Sequence, residues 1–106
     1  MMKRLVVYVV NVDEDIAEKA LRNAIDSLAS LNLVKVSPKS VDVEPHDDYR
    51  GIVAKFEYDF VAAEANENRN ASKGLQDLIQ SLIKAQLWKI PSVRVIVESG
   101  AQNEKR

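Results

Sequence analysis

Residues 5–12, Leu-Val-Val-Tyr-Val-Val-Asn-Val, are β-branched or aromatic on both alternating sets. A run apolar on both faces predicts a strand that is central in its sheet and at least partly covered on each side. Asp13-Glu14-Asp15 follows and marks a helix start. Asp15 and Glu18 have capping-box spacing, with Asp13 as the alternative cap. Ile16, Ala17, Ala20, Leu21, Ala24, Ile25, Leu28 and Leu31 recur every three or four positions, so a helix over about 14–31 has one apolar stripe. Asn32 suits the left-handed residue that ends it.

Residues 33–37 and 41–43 alternate around Pro38, which predicts a second strand at a sheet edge or with a bulge at the proline. Residues 44–48, Glu-Pro-His-Asp-Asp, form a turn-rich connection. A third strand shows the plainest two-residue period in the chain. Ile52, Ala54, Phe56, Tyr58 and Phe60 share one face; Val53, Lys55, Glu57 and Asp59 share the other. It has room to run to about Ala63. Residues 66–70 are polar and loop-like. Leu75, Leu78, Ile79, Leu82, Ile83 and Leu87 predict a second helix over about 71–88, with Asn70 or Ser72 as cap and Pro91 as terminator. Residues 93–97 make a fourth strand, and Gly100–Arg106 a flexible polar tail.

Two helices with one apolar stripe each need one sheet face to cover. The order strand-helix-strand, strand-helix-strand matches a ferredoxin-like βαββαβ two-layer α+β sandwich, with antiparallel sheet order 4-1-3-2. That order places the first strand inside and the proline-bearing second strand at an edge. Residues 1–99 are then one domain, as the length of 106 residues fits.

The topology also says which loops meet. The turn after the first strand, the connection between strands two and three, and the turn after the second helix share one end. Asp13, Glu14, Asp15, Glu44, His46, Asp47, Asp48 and Trp88 fall there.

Fifteen basic against sixteen acidic residues give a net charge of −1, so no global field steers nucleic acid or membrane to the chain. With no cysteine, disulfides, thiolate metal sites and a cysteine nucleophile are excluded. The apolar run after Lys3-Arg4 is short, meets acids at once and has no small-residue cleavage site, so it reads as a strand and not a signal peptide. No segment approaches the length needed to span a bilayer. These features lead to the expectation of a cytoplasmic protein without cofactor or metal.

The chemistry available is sparse. The acids of the shared end, with His46, could bind a cation, but capping and a solvated turn account for them. Calcium-loop spacing is absent. His46 is the one histidine, and any histidine-based catalysis must use it; a turn between proline and two aspartates predicts a surface role instead. The three glycines form no phosphate-cradling pattern. Asn70-Ala71-Ser72 fits a glycosylation sequon and reads as a helix cap.

Residues 7–12, Val-Tyr-Val-Val-Asn-Val, resemble the second RNP motif of RNA-recognition domains, which share this strand order. The resemblance implies a first RNP motif on the third strand. Arg50-Gly51 begins it correctly, but Ile52 and Ala54 stand where that motif has aromatics, and Glu57 replaces the last one. Phe56, Tyr58 and Phe60 belong to the core face, which leaves Tyr8 as a single stacking ring. Acids on the open face oppose phosphate. In order and length the chain also resembles the ferredoxin-like protein of the small ribosomal subunit, with no residue signature to carry over.

The remaining candidate is the sheet face that neither helix covers. The first strand offers it either Val6, Tyr8 and Val10 or Leu5, Val7 and Val9; both sets are apolar. Val53 adds to it from the third strand. The fourth adds either Ile96 with Arg94 or the Val93, Val95, Val97 row. An apolar centre with a charged rim is the anatomy of an association surface. The expectation is a non-enzymatic interaction module, a homo-oligomer assembled as a dimer or higher through this face or an edge strand. Tyr8, Val53, Lys55, Arg94 and Ile96 are its interface residues. Nucleic-acid binding through Tyr8 is the less favoured alternative, and a metal-binding or enzymatic role for the acidic end comes after it.

Overall fold

In the computed structural model, which describes residues 3–36, 40–60 and 69–99, the first apolar run is strand β1, Lys3–Val10. Leu5, Val7 and Val9 are completely buried. They pack in one core with Ala17, Leu21, Ala24 and Leu28 of helix α1 (Glu14–Ser30) and with Leu75, Ile79 and Ile83 of helix α2 (Arg69–Gln86). Both helices therefore cover the same side of β1. Its other residues, Val6, Tyr8 and Val10, face away, because successive side chains on a strand alternate.

Asp13 is the N-cap of α1, but its side chain makes no capping hydrogen bond. Its carboxylate lies 3.6 Å from Nε of Arg50 instead. The expected Asp15–Glu18 box does not form: Asp15 is already inside the first turn, and Glu18 accepts from Nε of Arg22 at 2.9 Å. Asn32 does adopt a left-handed backbone, with φ of 59°. Ile16 and Leu31 fall outside the buried stripe and are exposed.

Helix α2 starts earlier than expected. Asn70 and Ser72 lie within it, so neither caps it and the sequon is not a cap. Leu75, Ile79 and Ile83, spaced by four, form its buried edge, Leu87 continues it just past the helix end, and Leu78 and Leu82 are partly buried beside them.

The expected second strand is two strands. β2 (Val34–Lys35) and β3 (Asp42–Pro45) both pair antiparallel with β4 (Gly51–Phe60). β5 (Arg94–Ser99) pairs antiparallel with β1. The sheet thus has five strands, on the path β2-β4-β1-β5 with β3 also on β4, so the expected four-strand order 4-1-3-2 differs in that two strands, β2 and β3, stand where one was expected. The physical reason is that β4 is long enough to pair with two short strands, β2 at Asp59–Phe60 and β3 at Ile52–Lys55. β3 also runs through Glu44 and Pro45, which the sequence assigned to a turn. Proline is tolerated there because β3 is an edge. Pro38, the proposed extension of β4 to Ala63, most of the 66–70 loop and the Gly100–Arg106 tail lie outside the described residues.

Candidate functional site

The strand registers place the open face residue by residue. Tyr8 lies directly across from Val53 on β4 and from Ile96 on β5. Glu44 extends this row onto β3. The next row toward one end contains Gly51, Val10 and Arg94; the next toward the other contains Asp42, Lys55, Val6 and Glu98. All five expected interface residues therefore share the face without helices. Tyr8, Val53 and Ile96 are contiguous, and Arg94 and Lys55 sit one row to either side.

The face is less apolar at its middle than two bare valines would make it. Val6 and Val10 are both 7% exposed. They lie between longer side chains, Lys55 and Glu98 beside Val6 and Arg94 beside Val10, whose stems shield them. What remains accessible is Ile96, at 42%, together with parts of Tyr8 and Val53.

The β3–β4 turn adds a wall. His46 continues the alternation of Asp42 and Glu44, and its backbone N–H donates to the Gly51 carbonyl at 2.9 Å. Its Nδ1 accepts from the backbone N–H groups of Asp48 (3.0 Å) and Tyr49 (3.2 Å), which requires the ring proton on Nε2. So held, the ring lies 6.0 Å from the Tyr8 ring and 5.3 Å, edge-on, from the Tyr49 ring. His46 is a turn histidine at the surface, as expected, but it is half-buried and hydrogen-bonded and lines the site. A groove of about 350 Å³ results, floored by Tyr8, Val10 and Ile96 and edged by His46, Tyr49, Arg94 and Glu98. Tyr49 and Glu98 were not singled out by the sequence. The clue to the turn was the period of two running on from Asp42 through Glu44 to His46.

A second shallow hollow of about 400 Å³ lies on the same sheet, bordered by Arg4, Ser40, Asp42, Lys55 and Glu57. Arg4 donates to Glu57 at 3.0 Å across it. The registered rows of the open face carry Arg4, Lys55 and Arg94 against Asp42, Glu44, Glu57 and Glu98. The signs are interspersed and the balance is slightly acidic.

The three connections expected at one end do meet. Asn11, in a left-handed conformation with φ of 69°, donates through its backbone to Arg50 (2.7 Å) and through Nδ2 to Ser92 (3.1 Å). The acids gathered there do not converge. Among the described residues no three of His, Asp or Glu come close enough to hold one metal ion. Trp88 is 71% exposed at this end, with Nζ of Lys89 5.4 Å from its ring centre.

Solved structures of low sequence identity share this arrangement. The de novo designed protein LFR1 1, with ferredoxin fold, aligns at a TM-score of 0.63 and 17% identity over 94% of this chain and 85% of that one. The C-terminal domain of the MgtC protein from Mycobacterium tuberculosis aligns at 0.58 and 16% identity, covering 100% of this chain and 95% of that one. The de novo designed protein Foldit4 aligns at 0.56 and 11% identity over 93% and 96%. The chain thus has an α+β, ferredoxin-like fold. Identities this low carry the fold and nothing about activity. No protein-family model matches the chain, and no curated protein matches it.

No described helix is long and apolar enough to cross a membrane.

Proposed function

We propose that this chain is a non-enzymatic interaction module that self-associates through the helix-free face of its sheet. The observation that carries the reading is the Val53–Tyr8–Ile96 row, which runs unbroken across three adjacent strands on the side away from both helices. An accessible apolar row rimmed by charges of both signs has the anatomy of a contact surface.

The sheet edges are less suited to the task. β3 is short and ends in Pro45, and β2 has two residues. On β5 the Val95 carbonyl already accepts from Nε2 of Gln80 at 3.1 Å. Short strands, proline and side-chain cover are the usual devices that blunt an edge against pairing. The face is therefore favoured over the edge.

One observation favours a second reading, nucleic-acid binding: His46 and Tyr49 stand beside Tyr8, so three rings rather than one are available for stacking. The acidic balance of the same face opposes it, because phosphate contacts supply most of such affinity.

Light scattering coupled to size-exclusion chromatography tests the first reading across a range of concentration. The wild-type chain is expected to be dimeric or larger, and Ile96→Asp to be monomeric with an unchanged melting temperature. A wild-type monomer at high concentration rejects the reading. Low-salt binding of single-stranded RNA, lost on Tyr8→Ala, would transfer the face to the second.

A further inference from the structure

We infer that two copies of the chain meet face to face about a twofold axis lying along the Val53–Tyr8–Ile96 row, so that Arg94 of each copy meets Glu98 of the other. This rests on the self-association proposed above and specifies its geometry. A twofold contact is isologous: if residue i touches residue j, then j touches i, so the patch must complement itself. Rotation about an axis laid along one row of a sheet places residues two positions before the row against residues two positions after it, on the same strand.

Each of the three strands under the row meets this condition. On β5, Arg94 and Glu98 flank Ile96, so the rotation sets guanidinium against carboxylate twice. On β1, Val10 and Val6 flank Tyr8, so apolar meets apolar. On β4, Gly51 and Lys55 flank Val53, so the long lysine meets the position with no side chain. Glu44, exposed at the end of the row, limits the contact at β3. Among the described residues neither Arg94 nor Glu98 takes part in any ion pair or side-chain hydrogen bond within its own chain. Both line the groove beside Ile96. Two antiparallel sheets stacked this way keep their strands within about 30° of each other, a common sheet-on-sheet angle.

A rotation about β1 itself is the competing arrangement. It would pair Glu98 with Lys55 but leave Arg94 against Gly51, as the axis along the row leaves Lys55 against Gly51. Each rotation makes two ion pairs between the copies, and the axis along the row is favoured because guanidinium and carboxylate pair through two parallel hydrogen bonds, which a lysine cannot offer.

Charge exchange on the full chain distinguishes these possibilities, read by sedimentation equilibrium at low salt. Arg94→Glu alone and Glu98→Arg alone should each weaken the dimer about tenfold or more, since each sets like charges together twice. The double variant Arg94→Glu/Glu98→Arg should recover wild-type affinity to within a few fold. Recovery of Glu98→Arg by Lys55→Glu, and not by Arg94→Glu, would overturn the inference in favour of the rotation about β1. A dimer that dissociates with Ile96→Asp but ignores Arg94 and Glu98 would overturn this axis and leave the face reading standing. A wild-type monomer would overturn both. All the substituted positions except Ile96 are polar and exposed, so unchanged melting temperatures would show that the fold is intact.

Discussion

Gly51 and Val10 are cross-strand partners whose backbones pack too closely to admit a side chain between them. A Cβ at Gly51 would stand 2.7 Å from Cα of Val10 and would overlap the carbonyl oxygen of Val9. Its φ of 141° is also one that L residues rarely adopt. Both clashing atoms are backbone of the central strand and cannot give way. Gly51→Ala should therefore destabilise the fold by on the order of 3 kcal/mol, seen as a lower urea midpoint with an unchanged slope. A midpoint equal to wild type would show that the β1–β4 approach is looser than described.

His46 holds the β3–β4 turn through two hydrogen bonds accepted at one nitrogen. The turn is exposed, so water replaces part of what is lost, and His46→Ala should cost about 1 kcal/mol. The more telling readout is hydrogen exchange. The amides of Asp48 and Tyr49 should lose protection in His46→Ala, while core amides such as that of Val7 change only with global stability. His46→Asn keeps a side-chain acceptor and should restore part of the protection.

Ile79 and Ile96 are the same residue in opposite circumstances. Ile79 is completely buried between α2 and the sheet, and Ile79→Ala should cost about 2–5 kcal/mol. Ile96 is 42% exposed on the open face, and Ile96→Ala should change stability by about 0.5 kcal/mol or less in dilute solution, where no partner covers it. Paired denaturation curves at one low concentration measure the contrast. Equal losses would mean that the open face is as essential to folding as the core.

Gln86 fastens the end of α2 to α1. Its Oε1 accepts from Nδ2 of Asn23 at 2.9 Å, and its Nε2 donates to the Ala20 carbonyl at 3.1 Å. Gln86→Ala should lower stability by about 1 kcal/mol. Gln86→Glu should be no better than Ala, because a carboxylate keeps the bond to Asn23 but turns an oxygen toward the Ala20 carbonyl. Thermal melts of both variants test this; a Glu variant as stable as wild type would place the weight on Asn23 alone.

Much of the architecture was legible along the chain. Ile52, Ala54, Phe56 and Tyr58 alternate with Val53, Lys55, Glu57 and Asp59, and the structure buries the first set; the side chain of Phe60 lies outside the described residues. The helical stripes were equally readable, apart from their ends, where Ile16 and Leu31 are exposed and Asn70 and Ser72 fall inside α2. Caps are hard to read because several neighbouring Asp, Asn and Ser residues can each serve, and small differences in packing choose among them. Of the site, Val53 and Lys55 followed from alternation, whereas Tyr8, Arg94 and Ile96 were one of the two alternatives that alternation left open. His46, Tyr49 and Glu98 were not accessible from it, because the turn that carries the first two looked like solvent-facing polar sequence.

The chain by itself determined the elements and the two faces of each, since periods of two and of 3.6 follow from backbone geometry and are written in neighbouring residues. It could not decide which side of β1 would meet the helices, because Leu5, Val7 and Val9 are no more apolar in pattern than Val6, Tyr8 and Val10. Nor could it divide the second strand into β2 and β3. Those outcomes depend on where α1 and α2 come to rest and on how β4 shares its length between two partners. Contacts between residues far apart in sequence settle them, and such contacts exist only once the chain is folded.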